Sequence, residues 1–125
     1  MMERLALIIE DEPKLAEIFS LALASDFEVQ VVNDGQSALH ILADIVPAVI
    51  LLDLHLPYVS GSDVLRRIKA DERLKQSRII ITTADALTAE ELRDQVDIVL
   101  LKPISVNQLN QLANRLCLSI FGGDI

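Results

Sequence analysis

Short apolar runs alternate along this chain with stretches whose apolar residues recur every three or four positions. The runs are Leu5 to Ile9, Val29 to Val32, Val49 to Leu52, Ile79 to Ile81 and Ile98 to Leu101. Each is too short for a helix and rich in branched side chains, so five strands are predicted. Between them, Leu15, Ile18, Phe19 and Ala22 stand at i, i+3, i+4 and i+7, as do Ala38, Ile41, Leu42 and Ile45, and again Leu109, Leu112, Ala113 and Leu116. That spacing draws an apolar stripe down a helix. A third, shorter helix follows the turn at Gly61 and rests on Val64, Leu65 and Ile68. A fourth has almost no large apolar residue except Leu92, and a helix so lightly anchored is free to move.

Start signals agree. Pro13 suits a first helical turn, and Ser105 with Gln108 and Thr88 with Glu91 have capping-box spacing. Five strands alternating with five helices predict an α/β domain with a parallel sheet covered on both faces. The runs at Leu5, Val49 and Ile79 are apolar without alternation, as central strands should be. Glu28 and Gln30 alternate with Val29 and Val31, and Asp97 precedes the last run, so strands two and five belong at the edges. The order 2-1-3-4-5 follows, a doubly wound, flavodoxin-like arrangement with its ligand crevice beyond the carboxyl ends of strands one and three.

Composition narrows the function. Eleven basic against nineteen acidic residues give a net charge of -8, which repels a nucleic-acid backbone. No direct nucleic-acid partner is expected. Aromatic residues make up only 3% of the 125, so the interior must be Leu, Ile, Val and Ala. Cys117 is the single cysteine, read as a small apolar filler, and His40 as a surface residue. No stretch reaches the length of a membrane span and Met1 to Arg4 carries no signal-peptide pattern, so a cytoplasmic protein with no membrane partner is expected. Residues 1–121 are read as one domain and 122–125 as a short tail.

The chemistry gathers at the strand ends. Strand one ends in Glu10, Asp11 and Glu12, strand three in Asp53, strand four in Thr82 and Thr83, and strand five in Lys102 and Pro103. Carboxylates crowded in one crevice repel, and a hard divalent cation relieves the repulsion. Mg²⁺ fits best, since it favours carboxylate oxygens and keeps waters that a phosphate oxygen can replace. An acid directly after four apolar residues, as Asp53 is, carries a desolvation cost that a purely structural role rarely justifies.

In this order and at these strand ends, the acidic pair Glu10 and Asp11, the apolar strand closing on Asp53, Pro57 and Gly61, Thr83 with Ala84, and Lys102 with Pro103 resemble the receiver domains of two-component response regulators. The resemblance runs from Leu5 to about Phe121. It implies that Asp53 is the nucleophile that takes a phosphoryl group from a histidine of a sensor kinase or phosphotransfer protein. It also implies that Asp11, Asp53 and the backbone carbonyl of His55 hold Mg²⁺, with Glu10 acting through a bound water. Lys102 would pair with a phosphoryl oxygen, Thr83 would offer its hydroxyl, and Ala84 would leave room for the group and expose its N–H. Thr82 and Thr83 compete for the hydroxyl role, and Thr83 is chosen because Ala84 then fits the small position after it. The Lys102 to Pro103 bond would be cis.

Such a protein is a phosphoacceptor switch and not a turnover enzyme. Its output would lie in a downstream protein or output domain. The position three before Lys102, often aromatic in the family, is Val99 here, so relay is expected through the loop from Ala84 to Leu87 and the weak fourth helix. His55 and Asp85, each two residues beyond a site residue, are expected to border the path of an attacking water. Leu116, Leu118, Ile120 and Phe121 exceed what one buried stripe requires, which reads either as core or as a contact face, including one for a second copy docked through the last two helices. Two other reactions fit less well. A haloacid-dehalogenase-type phosphatase wants an acid two residues after its aspartate, where this chain has His55, and a flavin carrier wants glycine or hydroxyl residues after Ile9. The remaining alternative is a receiver-like interaction module that works without phosphorylation.

Overall fold

The computed structural model describes residues 4–121, with side chains through 118. The expected tail at 122–125 and the side chains of Ile120 and Phe121 lie outside the described residues. The elements run β1 (Leu5–Ile9), α1 (Pro13–Leu23), β2 (Glu28–Val32), α2 (Gly35–Leu42), β3 (Val49–Asp53), α3 (Gly61–Ala70), a single 3-10 turn (Glu72–Leu74), β4 (Arg78–Thr83), α4 (Ala86–Leu92), β5 (Ile98–Leu101) and α5 (Val106–Phe121). All strand pairs are parallel and the sheet order is β2-β1-β3-β4-β5, as the run composition predicts. Among the described residues, no helix is long and apolar enough to cross a membrane.

Alternation divides the apolar side chains of the central strands between two layers. Ala6, Ile8, Val49, Leu51, Ile80 and Leu100 pack against Phe19 and Leu23 of α1 and Leu109, Ala113 and Cys117 of α5. Leu7, Ile9, Ile50, Leu52, Ile79 and Ile81 pack on the other face against Ala38 and Leu42 of α2 and Val64, Leu65 and Ile68 of α3. With both faces covered, β3 is buried at every position, which is why an acid at its end stands out.

Three helices depart from the sequence reading. The stripe predicted to run on to Ile45 is cut short, because α2 ends at Leu42 with Ala43 as its C-cap. In α1 the buried set is Ala16, Phe19, Ala22 and Leu23, so the stripe is rotated from the predicted one and Ile18 is exposed. The small Ala16 lets the helix lie close to the sheet, and Leu23 replaces Ile18 as its large anchor. In α4 the N-cap is Asp85 and not Thr88. The Asp85 carboxylate accepts from the Leu87 N–H at 3.0 Å and from the Thr88 hydroxyl at 2.8 Å, so the helix begins three residues early and Thr88 is spent inside its first turn. The cap at Ser105 is as expected, its hydroxyl accepting from the Gln108 N–H at 3.2 Å. Ala89 is the buried residue of α4 and Leu92 is half-buried, while Leu87 is 76% exposed. The light anchorage expected of this helix is present.

By contrast, α5 is tied to the rest by a polar knot. The Arg4 guanidinium donates to Asn114 Oδ1 at 2.6 Å and lies 4.4 Å over the Phe27 ring. Asp26 Oδ2 accepts from the side-chain amides of Asn110 at 2.9 Å and Asn114 at 3.1 Å, and these bonds hold its carboxyl below the usual range. Asn110 also donates to the Ala22 carbonyl at 2.8 Å.

Candidate functional site

The carboxyl ends of β1, β3, β4 and β5 form one rim, and the structure brings the predicted acids together there. Glu10, Asp11 and Asp53 each place a carboxylate oxygen within 4.8 Å of the others. Among the described residues they are the one such group of potential metal ligands. Glu10 is 1% and Asp53 2% exposed, whereas Asp11 faces solvent. The Lys102 ammonium lies between the two buried acids, 3.4 Å from Glu10 Oε1 and 3.3 Å from Asp53 Oδ2. Both distances are long for charge-assisted bonds, so the ammonium is shared and not committed.

Local backbone chemistry holds the acids in place. Asp53 Oδ1 accepts from the His55 N–H at 3.0 Å, and Glu10 Oε2 from the Glu12 N–H at 3.1 Å. The Asn33 side chain donates to the Glu10 carbonyl at 3.1 Å, pinning the end of β1 to the loop after β2. Gly61 allows the loop after Asp53 to fold back. Its N–H reaches the Leu54 carbonyl at 3.2 Å, and a Cβ there would sit 2.5 Å from Leu54 Cα and 2.6 Å from the Asp53 carbonyl oxygen. In the same loop Tyr58 is held at φ 66, a conformation that a side chain disfavours.

Burial pushes the Glu10 carboxyl up to about 7, with the Asp53 charge adding to the rise and the Glu12 N–H and Lys102 opposing it. Three ionised carboxylates and one ammonium would leave two net negative charges at the rim. That balance, the oxygen-only donor set and the raised Glu10 all fit a divalent hard cation.

The two threonines of β4 are now distinguished. Thr82 is the register partner of Asp53 and lies on the same sheet face, while Thr83 points to the other by alternation. The Thr83 hydroxyl accepts from the Asp85 N–H at 3.1 Å, which leaves its own O–H available as a donor. Thr82 Oγ1 is buried with no hydrogen-bond partner among the described residues, an arrangement that costs roughly 1–3 kcal/mol. Ala84 is exposed beside Thr83. His55 is exposed as well, and its charge helps to hold the neighbouring Asp85 carboxyl down, behind the larger effects of the Thr88 hydroxyl and Leu87 N–H. The Lys102–Pro103 bond is cis, as expected. His40 is exposed and Cys117 buried, also as expected. Sequence reasoning missed Asn33, which carries no motif, and the orphaned Thr82 hydroxyl, which only register discloses.

Comparison with known proteins shows what this chain resembles. The family model for the response regulator receiver domain matches residues 6–114. The chain is 32% identical over 111 residues to the regulatory protein AtoC of Escherichia coli strain K12, a match that takes in 87% of this chain but 24% of that protein's length. It superposes on the signal receiver domain of a LuxO repressor protein from Vibrio parahaemolyticus with a TM-score of 0.87 at 26% identity, covering 98% of this chain and 96% of that one. A receiver domain of the sensor histidine kinase PA1611 from Pseudomonas aeruginosa PAO1, solved with a magnesium ion in its active-site cleft, is 28% identical. Its TM-score is 0.83, with 93% of this chain and 98% of that chain covered.

Proposed function

The chain belongs to the response regulator receiver domain family, and from that premise we propose that Asp53 accepts a phosphoryl group in a Mg²⁺-dependent reaction and that the domain then changes shape to control a partner or output module. The observation that carries the reading is the ammonium of Lys102 held between the two buried acids, Asp53 and Glu10, in an otherwise acidic rim.

The donor is a phosphohistidine of a sensor kinase or phosphotransfer protein. An Asp53 oxygen attacks phosphorus, the P–N bond breaks, its electron pair stays on the imidazole nitrogen, and an aspartyl phosphate is left on the chain. Asp11, Asp53 and the His55 carbonyl would hold Mg²⁺, with Glu10 reaching it through water, and the ion would supply charge neutralisation at the transferring group. The protein's part is placement. The His55 N–H fixes the Asp53 carboxylate, Lys102 meets a phosphoryl oxygen, the Thr83 hydroxyl turns in from the other sheet face to donate to a second, and Ala84 leaves space and offers its N–H.

Switching uses the same contacts. A phosphoryl oxygen that draws the Thr83 hydroxyl also disturbs the bond from Asp85, which is the cap of α4. Receiver domains are phosphoacceptor switches, and this one should take one equivalent and stop.

The test is direct. The protein is mixed with Mg²⁺ and acetyl phosphate and weighed intact beside an Asp53→Ala variant. A gain of one phosphoryl group in the parent alone supports the reading. No gain in the parent would instead favour an interaction module that binds without phosphorylation.

A further inference from the structure

Lys102 meets Asp53 and Glu10 only by crossing a strand. It follows β5, while the carboxylates it reaches belong to β3 and β1, so its stem passes over the end of β4. Neighbouring strands lie about 4.8 Å apart, which leaves the side chain no route around β4. Register fixes the residue in its path. Thr82 pairs with Asp53 on one side and with Leu100 on the other, and its side chain shares the face of Ile80 and Leu100, the face that also carries Asp53. Thr82 is 1% exposed and its hydroxyl is unpartnered. Valine has nearly the same shape, lacks the orphaned group, and would suit a strand that already reads Ile79, Ile80, Ile81.

We propose that Thr82 is a positioning residue for Lys102: its methyl supports the lysine stem, and its Oγ1 accepts an ammonium N–H when a phosphoryl oxygen on Asp53 draws Lys102 away from Glu10. An ammonium has three donors. Two are shared loosely with Glu10 and Asp53 at rest, and a phosphoryl oxygen that takes the place of Glu10 leaves the third free for an acceptor beside Asp53. Thr82 supplies that acceptor beside Asp53. The assignment rests on the phosphoacceptor reading and deepens it.

The experiment follows Mg²⁺-dependent labelling by acetyl phosphate, read as intact mass against time, for the parent, Thr82→Val, Thr82→Ser and Thr82→Ala. Each is paired with the same change in a Lys102→Ala background. Loss of one hydrogen bond to a charged group predicts labelling roughly tenfold slower in Thr82→Val and Thr82→Ala. Thr82→Ser, which restores the hydroxyl, stays within about threefold of the parent. The urea midpoint of Thr82→Val does not fall, because no partnered group is lost. In the Lys102→Ala background, Thr82→Val adds no further slowing. Labelling of Thr82→Val at the parent's rate, or equal slowing with and without Lys102, overturns the assignment while leaving the phosphoacceptor reading intact. A parent that gains no mass overturns that reading, and this assignment falls with it.

Discussion

Replacing Glu10 by glutamine removes a charge that the fold disfavours, and the effect on stability must depend on pH. The Glu10 carboxyl is raised from the ordinary 4.5 to about 7, first by burial and then by the Asp53 charge. Below the lower value both folded and unfolded chains hold the proton and nothing is lost. Between the two the unfolded chain releases its proton while the folded chain keeps it, so stability falls as pH rises and levels off above about 7. The full fall is on the order of 3 kcal/mol. Glutamine has no such titration and can still accept from the Glu12 N–H. In chelator-treated buffer, Glu10→Gln should therefore gain on the parent by roughly 2 kcal/mol between pH 5 and pH 8, read from urea unfolding at each pH. Adding Mg²⁺ should then raise the parent's midpoint more at pH 8 than at pH 5.5, because protons compete for the same oxygens, and raise that of Glu10→Gln less. A difference between parent and variant that stays constant from pH 5 to pH 8 would refute the electrostatic account of the rim.

Three further outcomes are expected. Gly61→Ala forces a Cβ against the backbone of Leu54 and Asp53, so it should cost about 1–3 kcal/mol in urea unfolding and slow labelling of Asp53 as well. Changing His55 or Asp85 should alter the decay of the phosphorylated form by several-fold, measured as loss of the added mass after donor removal; equal decay in the single and double variants would dismiss their part. Phosphorylation should change amide exchange between residues 84 and 96, where the Asp85 cap and α4 lie, and an unchanged profile there would end the relay proposal.

Much of the fold was legible because both periods are written into the chain. The uninterrupted apolar runs of β1, β3 and β4 state that both faces are covered, the polar positions in and beside β2 and β5 mark the edges, and together they put Glu10, Asp11, Asp53 and Lys102 at one rim. What failed was set by competition between neighbours. Asp85 and Thr88 could each begin α4, and the Asp85 carboxylate, whose two oxygens accept from both the Leu87 amide and the Thr88 hydroxyl, won. Ile18 satisfies a helical period as well as Leu23 does, and only the packing of α1 against the sheet and α5 buries one and exposes the other. The division of Thr82 from Thr83 needed strand register, which pairs one of them with Asp53. The knot around Asp26 joins residues more than eighty positions apart, and no local pattern announces it.

That knot has a mechanical consequence. Arg4, Asp26, Asn110 and Asn114 bolt one flank of the molecule like a door jamb, and sliding α5 would break several charged bonds together. The opposite flank hangs on Ala89 and half of Leu92. Motion started at the rim would thereby be rectified, leaving by the loose leaf while the frame stays still. A protein reading this surface would gauge one edge against a fixed datum, as a caliper does.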